Sequence, residues 1–542
     1  MSDDAKLDLV LLWHMHQPDF RDHATGEYAQ PWVYLHAIKD YSDMAAHLEN
    51  HPGVRAVVNF TPVLLDQLED YTEQFAAGRF HDPLLRLLAH PDLTRLDAPE
   101  RRLVLGCCFK ANHHKMIEPY PAFRRLWDFY ALTQQPGTAA EGYLSAQYLG
   151  DLLTWYHLAW VGETVRRRDQ TVPRLLAKAQ NFSHADRMQL VDLIGRETSA
   201  VVPRYRKLAA QGRIELTTSP AFHPIGPLLI SFEAARETEL DAPLPQSSHY
   251  PGGRTRASAH IAAARESHAH RFGQPPRGMW PAEGAVSQVF VDLLAEGGCE
   301  WIASGEGVLL NSLGKNNEPI PERHNYLYRP YRLSGGPRPL TCFFRDDRLS
   351  DLIGFEYCKW HGKDAAAHFL GELKGILEQS DASARRVVSV ILDGENAWEY
   401  FPYNGFYFLD ELYAGLEKHP QIATATFAQL LDEKREPAAL PVLVAGSWVY
   451  GNLSTWIGSP EKNRAWDLLC AAKQSFDLVA VSGRLNAQEL AEATHQLADC
   501  EASDWFWWFG DYNPSEPVLA FDRLYRQKLA HFYRLLKLPV PA

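Results

Sequence analysis

The sequence has 542 residues, of which 67 are acidic and 54 are basic, and its formal net charge is −13. This charge disfavours nucleic acid and anionic membranes as partners, and no apolar stretch approaches the roughly 20 residues that a membrane-spanning helix needs. The chain is too long for one ordinary domain, and its 15 Trp, 23 Tyr and 25 Phe fit a sugar-binding surface or a large core equally well.

Seven short apolar segments predict the strands of a mostly parallel sheet. Three of them, containing LVLLW, AVVNF and VVSVIL, are almost continuously apolar, as expected for strands that helices cover on both faces. Because helical patterns lie between several of them, we expect an α/β fold of the (β/α) barrel type. The predicted strands are 7–13, 54–60, 213–218, 277–280, 300–303, 340–344 and 387–392.

The remaining segments are predicted to be mostly helical. Within the barrel, helical spacing is clear at 257–272, 286–294 and 363–379. We expect a catalytic barrel over residues 1–435, with a helical insertion at about 110–210. A C-terminal helical domain, 436–542, is predicted to contribute to the active-site cleft. Its expected helices are 462–480, 486–499 and 516–536.

Polar residues follow several predicted strands, where barrel enzymes have their active sites. His14 and His16 end the first strand, and because residues i and i+2 of a strand point the same way, both can face one small volume. Further candidates lie in or after the third, fourth, sixth and seventh strands: Glu215, His223, Glu283, Arg345, Asp346, Asp393 and Glu395.

Two of these residues, Glu283 and Asp393, form a candidate catalytic pair. Glycoside hydrolysis needs one carboxyl group that protonates the leaving oxygen and another that attacks the anomeric carbon or activates water. The simpler interpretation of Glu283 is a carboxylate in the first turn of a helix. Asp393 is either a helix cap, a member of a polar network or a catalytic group, and the polar run that follows it argues against a mere cap.

Two other function classes remain open from the residues alone. A metal-dependent hydrolase on a barrel uses a His-x-His pair such as His14 and His16, but it needs further ligands, and the later strand ends offer Glu, Asp and Arg instead. A carbohydrate-binding module without chemistry would use a stacking platform, for which SDWFWWFGDY at 503–512 is a candidate; core packing is the alternative interpretation.

The cysteines and the N-terminal residues indicate the compartment. The seven cysteines show neither CxxC spacing nor a disulfide framework. The first residues, MSDDAKLDLV, lack the basic and apolar regions of a signal peptide. We therefore expect a soluble, cytoplasmic protein without a metal or another cofactor.

Five motifs in order resemble glycoside hydrolase family 57 and span most of the chain. They are HMHQP at 14–18, GRIELTTSPAFHPI at 212–225, MWPAEGAVS at 279–287, ILDGENAWEYF at 391–401 and WIGSPEKNRAW at 456–466. Three features are similar to the amylopullulanase-like branch: FRDDRLSDLIGF at 344–355, ASDWFWWFGD at 502–511 and the DGENAWE form of the fourth motif.

The resemblance implies an incomplete, TIM-like (β/α)7 barrel and cleavage of α-glucans with retention of configuration. It implies Glu283 as nucleophile and Asp393 as general acid and base. His14 and His16 would then contact the sugar at the cleavage point rather than a metal. The other implied substrate-binding or supporting residues are Glu215, His223, Trp280, Asp351, Glu395, Trp448, Trp456 and Trp505.

The implied substrate is an α-glucan polysaccharide or a maltooligosaccharide, cleaved at α-1,6 bonds, α-1,4 bonds or both. A 4-α-glucanotransferase or an α-amylase of the same family is the alternative. The step WPAEG before Glu283 departs from the Leu-Pro-Glu of many members, which puts the bond preference in doubt. Since neighbouring carboxyls push their pKa values apart, we expect Asp393, at the end of a buried strand, to have the raised pKa and Glu283 to be ionised.

Overall fold

The computed structural model describes residues 6–134, 140–315, 319–336, 338–379, 385–434 and 436–541. Its strands form two five-stranded sheets. The strands are β1 (Leu7–Met15), β2 (Ala56–Phe60), β3 (Ile214–Thr217), β4 (Gly278–Met279), β5 (Trp301–Ser304), β6 (Tyr331–Leu333), β7 (Leu340–Phe344), β8 (Arg386–Asp393), β9 (Ile422–Thr424) and β10 (Ala438–Leu440).

Seven of these strands form a parallel ring in chain order. One sheet holds β3, β2, β1 and β8, and the other holds β4, β5 and β7. Two single parallel bridges join the sheets, Thr218 to Met279 and Arg345 to Ser389. Each of the seven predicted strands has its counterpart in this ring. The α/β barrel-type fold expected from the sequence is therefore confirmed.

Three further strands were not predicted. β6 is antiparallel to β7, β10 is parallel to β6, and β9 is parallel to β1. Each has three residues, too few to give a recognisable alternation of apolar and polar side chains. Because β10 extends the second sheet beyond residue 435, strand pairing continues past the expected domain boundary. The division itself stays a prediction.

Helices fill the stretch between β2 and β3, from a helix directly after β2 to the end of the expected helical segment at about 110–210. Pro62, at the first helical position, and a left-handed Gly78 after the last residue mark the limits of the first of them. The helices in this stretch are Pro62–Ala77, Pro83–Ala89, Ala98–Cys107, Pro121–Thr133, Ala146–Trp160, Glu163–Arg168, Thr171–Lys178 and His184–Ala210.

Helices also follow the other strands, and all regular structure described after β10 is helical, as expected for the C-terminal region. Those around the barrel are Trp32–His36, Ser42–Asn50, Gly226–Ile230, Gly253–Phe272, Gln288–Glu296, Glu306–Gly314, Arg323–Tyr326, Asp347–Asp351, Gly362–Glu378, Phe406–Lys418 and Phe427–Asp432. The C-terminal ones are Pro460–Ala480, Ala487–Cys500, Ser503–Trp508 and Ser515–Leu535. Among the described helices, none is both long and apolar enough to cross a membrane.

The barrel interior has its own small apolar cluster, separate from the large core outside the ring. Val10 and Leu12 of β1 belong to the inner cluster, whereas Leu9, Leu11 and Trp13 belong to the outer core. Since strand side chains alternate between faces, His14 continues the inner row of Val10 and Leu12. The apolar interior therefore ends in a polar layer at the carboxyl end of β1.

Candidate active site

His14 begins the polar layer at the carboxyl end of the barrel. It is buried, and its Nδ1 donates to Asn59 Oδ1 of the neighbouring β2 at 2.6 Å. Burial lowers the pKa of His14 to about 3, so the imidazole is neutral. With its proton on Nδ1, the ring presents Nε2 as an acceptor. Nε2 has no hydrogen-bond partner among the described residues.

Three imidazole rings stack beside one another in this layer. The His223 ring centroid lies 5.0 Å from that of His14 and 4.0 Å from that of His16. His16 Nε2 donates to Asp504 at 3.0 Å, and His223 Nδ1 lies 2.9 Å from Ser503 Oγ. The C-terminal helix Ser503–Trp508 thereby fixes histidines that belong to the barrel.

Glu283 occupies a strained turn directly after β4. Its φ is +57°, a left-handed conformation that is unfavourable for a non-glycine residue and often marks a functional site. Its Oε2 accepts a hydrogen bond from the Trp448 indole at 2.8 Å, and the backbone N–H of Trp448 donates to its carbonyl at 3.1 Å. Its Oε1 lies 3.9 Å from His223 Nδ1. The loop after β10 thus holds both the backbone and the carboxyl of Glu283.

Asp393 is the last residue of β8 and is paired in register with His14 of β1. Its Oδ2 accepts a hydrogen bond from Asn396 at 2.7 Å. Nearby, buried Glu395 accepts hydrogen bonds from the backbone N–H of His16 and from Gln17 Nε2, both at 3.2 Å. The segment after β8 therefore supplies one carboxyl to the polar layer and uses another to hold the HMHQP segment.

The two candidate catalytic carboxyls both have raised pKa values. Burial raises the pKa of Glu283 to about 8, the charge of Asp393 adds to this, and the Trp448 hydrogen bond opposes it. Burial also raises the pKa of Asp393, while Asn396 and the charges of His16 and Arg345 oppose it. The expected rise at Asp393 is present. The sequence led us to expect a raised pKa only at Asp393, with Glu283 ionised. The pKa of Glu283 is raised as well, because only 19% of its side chain is exposed to solvent.

Asp351 and Trp280 lie at the edges of this group. Asp351 accepts a hydrogen bond from Arg345 Nη2 at 2.8 Å, and Arg345 Nε donates to the carbonyl of Ile391 in β8. The Trp280 ring is buried in the inner cluster, 5.2 Å from the Trp448 ring and 6.3 Å from that of His14. Both residues support the site, Asp351 through Arg345 and Trp280 by packing beneath it.

The structure places three predicted site residues elsewhere. Both oxygens of Glu215 are engaged, with the Trp301 indole at 2.8 Å and the backbone N–H of Ala428 at 2.9 Å. Glu215 points into the barrel two residues before β3 ends, one layer below Asn59 and His14. Trp456 and Trp505 are fully buried in the outer core, so neither ring offers a face for stacking on a sugar.

Asp504 and Asn59 are site residues that the sequence analysis missed. Asp504 comes one residue before the predicted Trp505 on the same helix. Their side chains point in different directions: the Trp505 ring is buried, whereas the Asp504 carboxylate contacts His16. Asn59 is a polar residue near the end of an apolar strand, a signal that would have identified it.

Two groups of side chains have the composition of a metal site. Nitrogen and oxygen atoms of His16, His223 and Asp504 lie within 4.8 Å of one another, as do those of Asp19, His23 and Asp499. In the second group, Arg21 and Lys528 form ion pairs with the two aspartates, so the positive charge is already supplied. Within the described part of the chain, only the first group includes a residue of the predicted His14 and His16 pair, namely His16.

Comparisons with known proteins give a family and a fold. The family model for Glycosyl hydrolase family 57 matches residues 10–443. The structure is similar to a family 57-type branching enzyme from Pyrococcus horikoshii, with 17% identity, a TM-score of 0.61, and coverage of 98% of this chain and 90% of that one. It is also similar to the alpha-amylase AmyC of Thermotoga maritima, with 14% identity, a TM-score of 0.58, and coverage of 98% and 93%.

A 4-alpha-glucanotransferase from Thermococcus litoralis has the same fold, with 14% identity and a TM-score of 0.53 over 98% of this chain and 60% of that one. No curated protein sequence gives a significant match. At these identities the structural likeness shows a shared fold, while the family match extends over most of the chain.

Proposed function

The chain belongs to glycosyl hydrolase family 57, and from that premise we propose that it cleaves α-glucosidic bonds in α-glucans with retention of configuration. The observation that carries the proposal is the position of the two carboxyls: Asp393 is paired in register with His14, and Glu283 lies 3.9 Å from His223 Nδ1, whose ring stacks on that of His14. Two carboxyls that follow different strands therefore meet at one end of the barrel, as a double-displacement mechanism needs.

In the proposed mechanism, Glu283 attacks the anomeric carbon and forms a covalent glycosyl-enzyme. Asp393 gives its proton to the departing glycosidic oxygen, and its carboxylate then takes a proton from the incoming water. Asp393 must begin protonated and Glu283 ionised, so the raised pKa of Asp393 suits its role, whereas the pKa of Glu283, raised to about 8, limits its ionised fraction at neutral pH. The neutral ring of His14, with a free Nε2, suits the acceptance of a hydrogen bond from a sugar hydroxyl. Asp504 positions His16 and is not itself a proton donor in this scheme.

We propose the amylopullulanase-like type, which acts on α-1,6 bonds, α-1,4 bonds or both. The support is the resemblance of FRDDRLSDLIGF, DGENAWE and ASDWFWWFGD to that branch. A 4-α-glucanotransferase or an α-amylase is the second candidate, favoured by the fold likeness to proteins with those names.

We further propose two domains divided at residue 435, with Trp448 and Asp504 as the C-terminal domain's contributions to the cleft. All seven cysteines are free, which supports a reducing compartment such as the cytoplasm.

The test is product analysis after incubation of the EDTA-treated protein with pullulan, amylose and maltoheptaose. We expect maltotriose from pullulan, which reports α-1,6 cleavage, and shortened chains from amylose if α-1,4 bonds are also cut. Products both longer and shorter than maltoheptaose would favour a transferase. Activity that returns only with added zinc or manganese would favour a metal-dependent hydrolase built on His16, His223 and Asp504.

Trp448→Phe is expected to shift the pH dependence of kcat/KM. The indole hydrogen bond stabilises the ionised form of Glu283, so its loss raises a pKa that is already about 8. The nucleophile works only above its pKa, and the acidic limb of the profile should therefore move to higher pH. A hydrogen bond to a charged group contributes about 1.5–3 kcal/mol, which predicts about a tenfold or greater loss at pH 6 and a smaller one at pH 9. An equal loss at both values would contradict this role.

A further inference from the structure

Exposed aromatic side chains are concentrated on the segments that follow β7 and β8. Ten Phe, Trp and Tyr side chains are exposed among the described residues, and five of them lie between residues 355 and 407. Large exposed aliphatic side chains are absent from the described part of that stretch. Segments after barrel strands build the substrate-binding face of such folds. We name this group the aromatic rim: Phe355, Trp360, Tyr400, Tyr403 and Tyr407.

The backbone that carries Tyr403 is strained. Tyr403 and Asn404 both have φ +53°, and Gly405 follows with φ +73°. Left-handed conformations are unfavourable for non-glycine residues and persist only where their surroundings hold them. Here Asn404 Nδ2 donates to buried Asp43 Oδ2 at 2.8 Å, and Asp43 Oδ1 accepts the backbone N–H of Thr164 at 2.9 Å. The turn is therefore held in a costly conformation by Asp43 of the helix Ser42–Asn50, whose carboxylate is itself fixed by Thr164.

In this turn Tyr403 is exposed to solvent, whereas the neighbouring Tyr407 is held in place by hydrogen bonding. Tyr403 is 61% exposed and Tyr407 46%, with ring centroids 5.4 Å apart at an angle of 87°. Arg167 Nη2 donates to Tyr407 Oη at 3.0 Å, while its guanidinium lies 3.9 Å from the Phe406 ring centroid. Tyr407 is thus tied to its neighbours, whereas most of Tyr403 remains accessible.

We propose that the aromatic rim is an auxiliary binding surface for an α-glucan chain, separate from the point of cleavage. Sugar rings have apolar C–H faces that stack on aromatic rings and hydroxyls that bond to tyrosine. The large apolar side chains exposed in this stretch are all aromatic, which fits such a neutral ligand better than a lipid or an aliphatic protein surface. Tyr403 lies on the segment that runs directly from Asp393. The rim therefore belongs to segments that leave the barrel at the end where Asp393 lies.

This inference rests on the proposed function for its ligand, and two separate measurements test it. The first is native electrophoresis of the whole protein through gels with and without glycogen, amylopectin or pullulan. The wild type should be retarded by the glucan, and Tyr403→Ala should raise the apparent Kd by about three- to tenfold, as expected when one aromatic contact is lost. Tyr403→Ala combined with Tyr407→Ala should weaken retardation further.

The second measurement is kcat/KM on the polymer and on the shortest maltooligosaccharide that the wild type cleaves. We expect the Tyr403→Ala loss on the polymer alone. Two matched variants serve as controls. Tyr403→Phe keeps the ring and should keep both binding and activity. Tyr143→Ala removes a tyrosine that is 91% exposed but lies between β2 and β3, and it should change neither.

Several results would overturn the auxiliary surface. These are unchanged retardation of the double variant, an equal loss with Tyr143→Ala, and an equal loss on the short substrate. A changed elution volume of Tyr403→Ala in size-exclusion chromatography, with unchanged retardation, would assign the rim to a second copy of the chain instead. Retardation without turnover of any glucan would reject the proposed function but not the rim, whereas turnover with an unchanged Tyr403→Ala would reject the rim alone.

Discussion

Glu283→Gln is expected to lower kcat by about a thousandfold or more, with the fold intact. The amide has nearly the same shape and its oxygen still accepts the Trp448 hydrogen bond, but it cannot attack the anomeric carbon. The measurement is kcat on the best substrate from the product analysis, beside circular dichroism of the purified variant. Turnover near that of the wild type would remove Glu283 from the role of nucleophile.

Glu215→Gln is the matched control, since Glu215 is also a carboxyl inside the barrel with a pKa raised by burial, to about 7. It bonds to Trp301 and Ala428, and an amide can accept at only one of its two terminal atoms. We expect a stability loss of about 1–3 kcal/mol with little change in kcat. A kcat as low as that of Glu283→Gln would instead place Glu215 in the catalytic group.

Asp393→Asn is expected to reduce kcat by about a hundred- to ten-thousandfold, the usual contribution of general acid–base catalysis. The amide keeps a hydrogen-bonding partner for Asn396 but can neither donate nor accept the catalytic proton. The loss in kcat/KM, which reports the formation of the glycosyl-enzyme, should be much smaller with a substrate whose leaving group needs no protonation, such as a glycosyl fluoride. Equal losses in kcat/KM on both substrates would contradict the acid role.

Added azide distinguishes the two carboxyls by stereochemistry. In Asp393→Ala, azide should attack the glycosyl-enzyme and give a glycosyl azide with the configuration of the substrate. In Glu283→Ala, azide should enter the space of the missing carboxylate and give the opposite configuration. The reverse assignment of products would exchange the two roles. A single inverted product from the wild type with its natural substrate would exclude the retaining mechanism altogether.

Much of the barrel could be predicted from the sequence because its strands are buried on both faces. β1, β2 and β8 are almost continuous apolar runs that are rich in Val, Leu and Ile and too short for a typical buried helix. β6, β9 and β10 were missed because three residues carry too little periodicity, and their pairing depends on neighbours distant in the chain.

The candidate site was predicted where polar residues end a strand, as at His14, Glu283 and Asp393. The C-terminal contributions could not be predicted in the same way, because no local pattern indicates that Asp504 meets His16 across the molecule. Trp456 and Trp505 illustrate the limit for aromatic residues. Their sequence context is equally suited to stacking on sugars and to core packing, and only the surrounding chain decides between them.

The long-range strand pairings also determine the order in which the fold can be completed during synthesis. On the ribosome, β1 emerges near the beginning, yet its partner β8 begins only at Arg386. At the usual rates of synthesis of about 5–20 residues per second, one edge of β1 waits roughly 20–80 s for that partner. Until then, that edge of β1 presents backbone N–H and C=O groups without their final strand partner. His16 waits longer still for Asp504, so an unfinished polypeptide lacks a complete site.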